Sequence, residues 1–170
     1  MAISLLRAVN GSTPVTAYHD SAIFHSALGN CILQGIYHSL EMTLDTSSQT
    51  IVIASGMMLY GGRQCEVPAN TSLTIDVSEY MSASNIYIML KIVTTSDGEG
   101  EYAEIYASLS NEKTDTSPID GVGIHKILVA VFNHRTYWSR AFALPRVMPG
   151  QCTNAYNLLS GGSIAGTPID

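Results

Sequence analysis

The chain has 170 residues, 46 % of them hydrophobic and only 13 % charged, with a net charge of −6. The length fits one domain with a sizeable core, and the charged share, against roughly 25 % in soluble domains, leaves a neutral surface suited to burial against other chains. Its eight Lys and Arg stand singly, which removes the basic stripe of a nucleic-acid binder, and no apolar run approaches the ~20 residues of a membrane-spanning helix.

Residues 1–30 read as an N-terminal arm with a short helix. Met1 to Arg7 lacks the basic start and the length of a signal peptide. Asn10-Gly-Ser-Thr-Pro14 is a loop by its turn residues. Tyr18 to Leu28 predicts a helix: Asp20 caps it, Ile23, Ala27 and Leu28 share a face, and Gly29 ends it.

Residues 31–146 read as an all-β domain. Cys31 to Tyr37 is a strand interrupted at Gly35. Glu41 to Asp45 alternates polar and apolar, as a half-buried strand does. In Ile51-Val-Ile-Ala-Ser-Gly-Met-Met-Leu-Tyr-Gly-Gly-Arg63, the β-branched start predicts a strand and Ser55-Gly56 a turn. Met57–Tyr60 is a second strand, Gly61-Gly62 turns the chain again, and Arg63 opens a third strand that ends before Pro68. Arg63 is expected to be structural, its guanidinium fork binding carbonyls or a carboxylate across strands. Ser72–Asp76 is the next strand.

Asn85 to Val93 is the longest apolar strand. Ile86, Ile88, Leu90 and Ile92 lie on one face and Tyr87, Met89, Lys91 and Val93 on the other, which predicts a central strand covered on both sides. Ser96 to Gly100 is a hairpin loop, and Glu101 to Ala107 is the partner strand. Asn111 to Gly121 is polar and predicts a surface loop open to motion. Ile124 to Phe132 is the last strand, with Arg140 beyond it. Residues 147–170 read as an extended C-terminal tail. Strands at this spacing give an antiparallel β-sandwich, jelly-roll-like.

The order "apolar strand, Ser-Gly, short apolar strand, Gly-Arg" over Ile51–Arg63, followed by Ser72–Asp76, the long Asn85–Val93, Glu101–Ala107, Ile124–Phe132 and then Arg140, resembles the N-terminal module of phage baseplate and tail-fibre adaptor proteins. The resemblance covers roughly residues 20–146 as a pattern of strands and turns, and Gly62-Arg63 is its most specific element. It implies a virion structural subunit, assembled in the bacterial cytoplasm, that links a tail hub to fibres. It implies a homotrimer and tail or baseplate proteins as neighbours.

Candidate chemistry is thin. His19, His25, His38, His125 and His134 show no HxH or HExxH spacing. Cys31, Cys65 and Cys152 form no CxxC pair and read as buried thiols. There is no Gly-x-Ser-x-Gly elbow or phosphate-binding loop, and Gly121-Val-Gly123 lacks the rest of a dinucleotide motif. The carboxylate pairs Glu101/Glu104 and Glu99/Glu101 are of the kind that act on sugars, but Glu99 and Glu101 flank a hairpin turn, where charges are usually solvated. Asn10-Gly-Ser12 and Asn70-Thr-Ser72 match the glycosylation pattern, without the secretion signal that would use it. The expectation is therefore no enzyme, no cofactor and no metal.

Aromatic residues remain. Tyr102 and Tyr106 share one face of a strand, and Tyr137-Trp138 follows the last strand. With Tyr156, Leu158 and Leu159 of the tail, they are candidate interface anchors or contacts to a host surface glycan.

Overall fold

The structure, a computed structural model, describes residues 4–6, 25, 26, 28–96 and 99–148. Among the described residues ten strands follow one another: β1 (Ser4–Leu6), β2 (Cys31–Leu33), β3 (Met42–Asp45), β4 (Thr50–Tyr60), β5 (Arg63–Asp76), β6 (Asn85–Thr94), β7 (Tyr102–Ser108), β8 (Gly123–His134), β9 (Trp138–Phe142) and β10 (Arg146–Val147). They form two sheets. The first runs β1-β5-β4-β2-β10, with β3 also paired to β4, and the second runs β7-β6-β8-β9. All pairings are antiparallel except that of β10 with β2.

The period-two pattern explains the shared core. Ile86, Ile88, Leu90 and Ile92 of β6 are fully buried, as are Ile51, Ile53 and Met58 of β4, and they belong to one cluster with Ala103, Ile105, Val129 and Phe132. The other face of β6 is less closed than its sequence predicts. Met89 is buried, while Tyr87, Lys91 and Val93 are half-buried.

Ser55-Gly56 is not a turn. β4 is continuous, and the pairing with β5 shifts register between Ala54 and Gly56. This bulge changes which parity faces inward: Ile51 and Ile53 before it, Met58 and Tyr60 after it. Gly56 is glycine for space. A Cβ there would lie 2.3 Å from the Leu40 nitrogen, because the β2–β3 connection crosses the bulge, with His38 and Leu40 donating their N–H groups to the Ser55 carbonyl at 3.0 and 3.3 Å. That connection is strained, with Tyr37, Ser39 and Leu40 all at positive φ.

Pro68 does not end β5 either. Val67 pairs with Gly56 and Ser72 with Ala54, so Pro68 to Thr71 loop out opposite Ser55, and the missing proline N–H costs no ladder bond. Asn70 at φ 60° turns this excursion, and the Thr71 hydroxyl donates to the Pro68 carbonyl at 2.7 Å.

Of the expected N-terminal helix, His25, Ser26 and Leu28 are helical, and Gly29 donates its N–H to the His25 carbonyl at 2.8 Å. The rest of that expected helix, residues 97–98 of the expected hairpin loop and the expected tail beyond Met148 lie outside the described residues. Among the described residues no helix is long and apolar enough to cross a membrane.

Candidate functional site

Gly61 and Gly62 join β4 to β5 as a two-residue hairpin, with φ of 54° and 73° and Tyr60 paired to Arg63. Positive φ at both central positions is what glycine supplies without strain. Arg63 reaches the second sheet: its guanidinium lies 3.6 Å from the Glu101 carboxylate, with side chains 16 % and 4 % exposed. Glu101 also accepts the Thr95 N–H at 3.3 Å, while Arg63 Nε is buried without a partner. The contact joins a hairpin of one sheet to the β6–β7 connection of the other.

The 111–121 loop, expected to be mobile, is anchored at several points. The Tyr60 hydroxyl donates to the Thr116 carbonyl at 3.1 Å, and Pro118 is buried against Gly61. His125, 3 % exposed, spans the same loop, its Nδ1 3.1 Å from the Thr116 hydroxyl and its Nε2 3.1 Å from both the Thr94 hydroxyl and the Gly121 carbonyl. Such a satisfied polar cluster rigidifies a loop.

Tyr102 and Tyr106 lie on the outward face of the second sheet, opposite Val93 and Met89. Between their rows are two ion pairs, Lys91–Glu104 and Lys126–Glu112, each 2.5 Å. Each ammonium also approaches a tyrosine ring, Lys91 that of Tyr102 at 5.4 Å and Lys126 that of Tyr106 at 5.7 Å. Glu112 gathers Lys126, the Ser108 hydroxyl at 2.7 Å and the Tyr106 hydroxyl at 3.0 Å. These partners, Lys126 foremost, hold its carboxyl down at about 2.

Tyr137 and Trp138 part ways despite adjacency. Tyr137 is 75 % exposed at the β8–β9 turn, whereas Trp138 packs on the core and stacks on His134 with ring centroids 4.7 Å apart. This hairpin lies beside Asn85, whereas Tyr106 sits opposite Met89 and Tyr102 opposite Val93, so along β6 Tyr106 stands about 13 Å and Tyr102 about 26 Å from it at ~3.3 Å per residue. Tyr102 and Tyr137 do not form one site. Tyr137 instead lines an open cleft with Asn133, Arg135, Thr136 and Ser139. Tyr156, Leu158 and Leu159 lie outside the described residues.

Sequence reasoning missed two arrangements. His38 Nδ1 lies 2.8 Å from the Ser55 hydroxyl, but Ser55 is 1 % exposed, so the pair ties the strained connection to the bulge and is closed to a substrate. Glu41 bridges Arg140 at 2.8 Å and Arg146 at 2.6 Å, and both guanidiniums stack on Phe142. Arg140 also donates to the Met42 carbonyl on edge strand β3. Only spatial proximity across 98 residues reveals that contact. Among the described residues no three His, Cys, Asp or Glu side chains gather as metal ligands do. Burial pushes the Cys65 thiol up to about 12, and Cys31 and Cys65 stand on adjacent register rows of β4 and so on opposite faces.

No family model matches the chain, and no curated protein matches it.

Proposed function

We propose that the protein is a structural subunit of a phage tail or baseplate, a jelly-roll-like β-sandwich that links a tail hub to fibres or receptor-binding proteins. It works by geometry and catalyses nothing. The observation that supports this reading best is the outward row Tyr102–Val93–Ile124 of the second sheet. Tyr102 and Ile124 are 46 % and 57 % exposed, the nearby Val122 is 65 % exposed, and the charges beside them are paired within the chain. A face of exposed aromatic and branched side chains without unpaired charge has the composition of an interface core. The named assembly comes from the resemblance in strand order. The subunit is a homotrimer, and residues 150–170, with Tyr156, Leu158 and Leu159, dock on a neighbour where those side chains are buried.

Sedimentation of the full chain and of a chain lacking residues 150–170 tests this, together with incorporation of each into particles. The full chain is expected to sediment as a trimer and the truncated one to incorporate poorly. A full chain that is monomeric at micromolar concentration, with normal incorporation of the truncated one, refutes it. The competing reading is a β-sandwich module that holds host surface glycan through Tyr and Trp, and a monomeric full chain that binds glycan would favour it.

A further inference from the structure

The β8–β9 hairpin carries a feature that an assembly role does not use. His134 and Trp138 pair across the hairpin and stack at 4.7 Å, and the His134 N–H donates to the Ser84 carbonyl at 2.8 Å. The three-residue turn Arg135-Thr136-Tyr137 therefore rests on a braced base. On its outward side, Asn133 and Ser139 pair in register and border a cleft of ≈ 470 Å³ that Arg135, Thr136 and Tyr137 complete. That volume is in the range of small-molecule sites, roughly 300–1,000 Å³. Arg135 is exposed and makes no ion pair among the described residues, whereas Arg63, Arg140 and Arg146 all face carboxylates. Tyr137, 75 % exposed, is the most exposed large hydrophobic side chain described.

We propose that this cleft binds an acidic saccharide, with the Arg135 fork on the sugar carboxylate, the Tyr137 ring against a pyranose face, and Asn133, Thr136 and Ser139 exchanging hydrogen bonds with hydroxyls. Each part follows from chemistry present at the cleft. A planar guanidinium matches a carboxylate bidentately. An aromatic ring with one wet edge covers the apolar face of a sugar. The amide and two hydroxyls supply both donors and acceptors. With a net charge of −6 the molecule repels anions at long range, so selectivity for an acid must come from Arg135 itself. The stacked base preorganises the turn, which lowers the ordering cost of a weak polar ligand. The inference does not rest on the assembly reading, since a monomer would bind equally well.

Amide shifts of isotope-labelled full chain test it, on titration with a tetrasaccharide of alternating glucuronic acid and N-acetylglucosamine. A neutral N-acetylglucosamine tetramer, acetate and inorganic phosphate serve as comparisons. The acidic tetrasaccharide is expected to move Asn133, Arg135, Thr136, Tyr137 and Ser139 with a Kd on the order of millimolar. Arg135→Ala and Tyr137→Ala should each weaken it at least tenfold, Arg135→Lys less, and Lys113→Ala, which removes a cation elsewhere, not at all. Saccharide shifts absent from the hairpin, equal binding of the neutral tetramer, or unchanged affinity in Arg135→Ala overturns the proposal. So does an equal response to acetate or phosphate, which would make the cleft a simple anion site.

Discussion

Replacing Gly61 by Ala tests the joint between the two sheets. Gly61 sits at φ 54°, and a Cβ there would lie 2.5 Å from the Ser117 hydroxyl oxygen and 2.6 and 2.9 Å from Pro118 Cδ and N. Two costs separate cleanly. Left-handed backbone costs an alanine about 1 kcal/mol. The clash cannot be relieved by a side-chain rotation, because two of the three atoms belong to the Pro118 ring, so the 111–121 loop must withdraw. Withdrawal breaks the bond from the Tyr60 hydroxyl to the Thr116 carbonyl, about 1 kcal/mol, and uncovers part of buried Pro118, roughly another 1 kcal/mol. The expected loss is about 3 kcal/mol, or a fall in Tm of roughly 6–12 °C at this chain length. Gly100→Ala is the control. Gly100 has φ 72° and nothing within 4 Å of its Cβ, so only the backbone cost of about 1 kcal/mol applies. Urea unfolding and calorimetry of both variants check the difference. If Gly61→Ala is no less stable than Gly100→Ala, the loop is not held against the hairpin and the reasoning fails.

Two further outcomes follow from the ion pairs. Arg63→Met should lose about 2–3 kcal/mol because it removes the cation that faces the 4 %-exposed Glu101 carboxylate. Arg63→Met with Glu101→Gln should recover part of that loss in a double-mutant cycle, and strict additivity would show that the pair does not interact. Glu112, with its folded carboxyl held down at about 2, stabilises the fold above the usual carboxylate range, and that contribution disappears as pH falls from about 4.5 through about 2. Thermal melts of Glu112→Gln should therefore show a lower Tm at neutral pH and a shallower decline on acidification than the parent. Parallel acid limbs would refute the assignment.

Most of the second sheet is legible in the chain because β6 and β7 keep strict period two, and each inward Ile, Leu or Ala lands in the core. The first sheet is harder to read because its long strands are irregular. The bulge at Ala54/Gly56 reverses the inward parity within one strand, and the excursion at Pro68 mimics a strand end. β1 and β10 are three and two residues long, so their partners define them and local propensity does not. β9 carries mostly exposed residues and has no hydrophobic period to find. The candidate aromatic residues divide by the same logic. Spacing of four along a strand put Tyr102 and Tyr106 on one face, but adjacency of Tyr137 and Trp138 said nothing of a turn that sends one outward and the other to the core.

The hydrogen-bonded row that crosses the first sheet sets a distance. Ser4 pairs with Glu66, Glu66 with Met57, Met57 with Leu33, and Leu33 with Val147. Four inter-strand steps of ~4.8 Å hold Ser4 and Val147 about 19 Å apart. Because β10 runs parallel to β2 and β1 antiparallel to β5, the chain arrives at Ser4 and leaves after Val147 from the same side of this row. A neighbour that grips one of these positions finds the other at a fixed span, like the two pins of a plug. Bridging both at once demands a partner surface at least that wide.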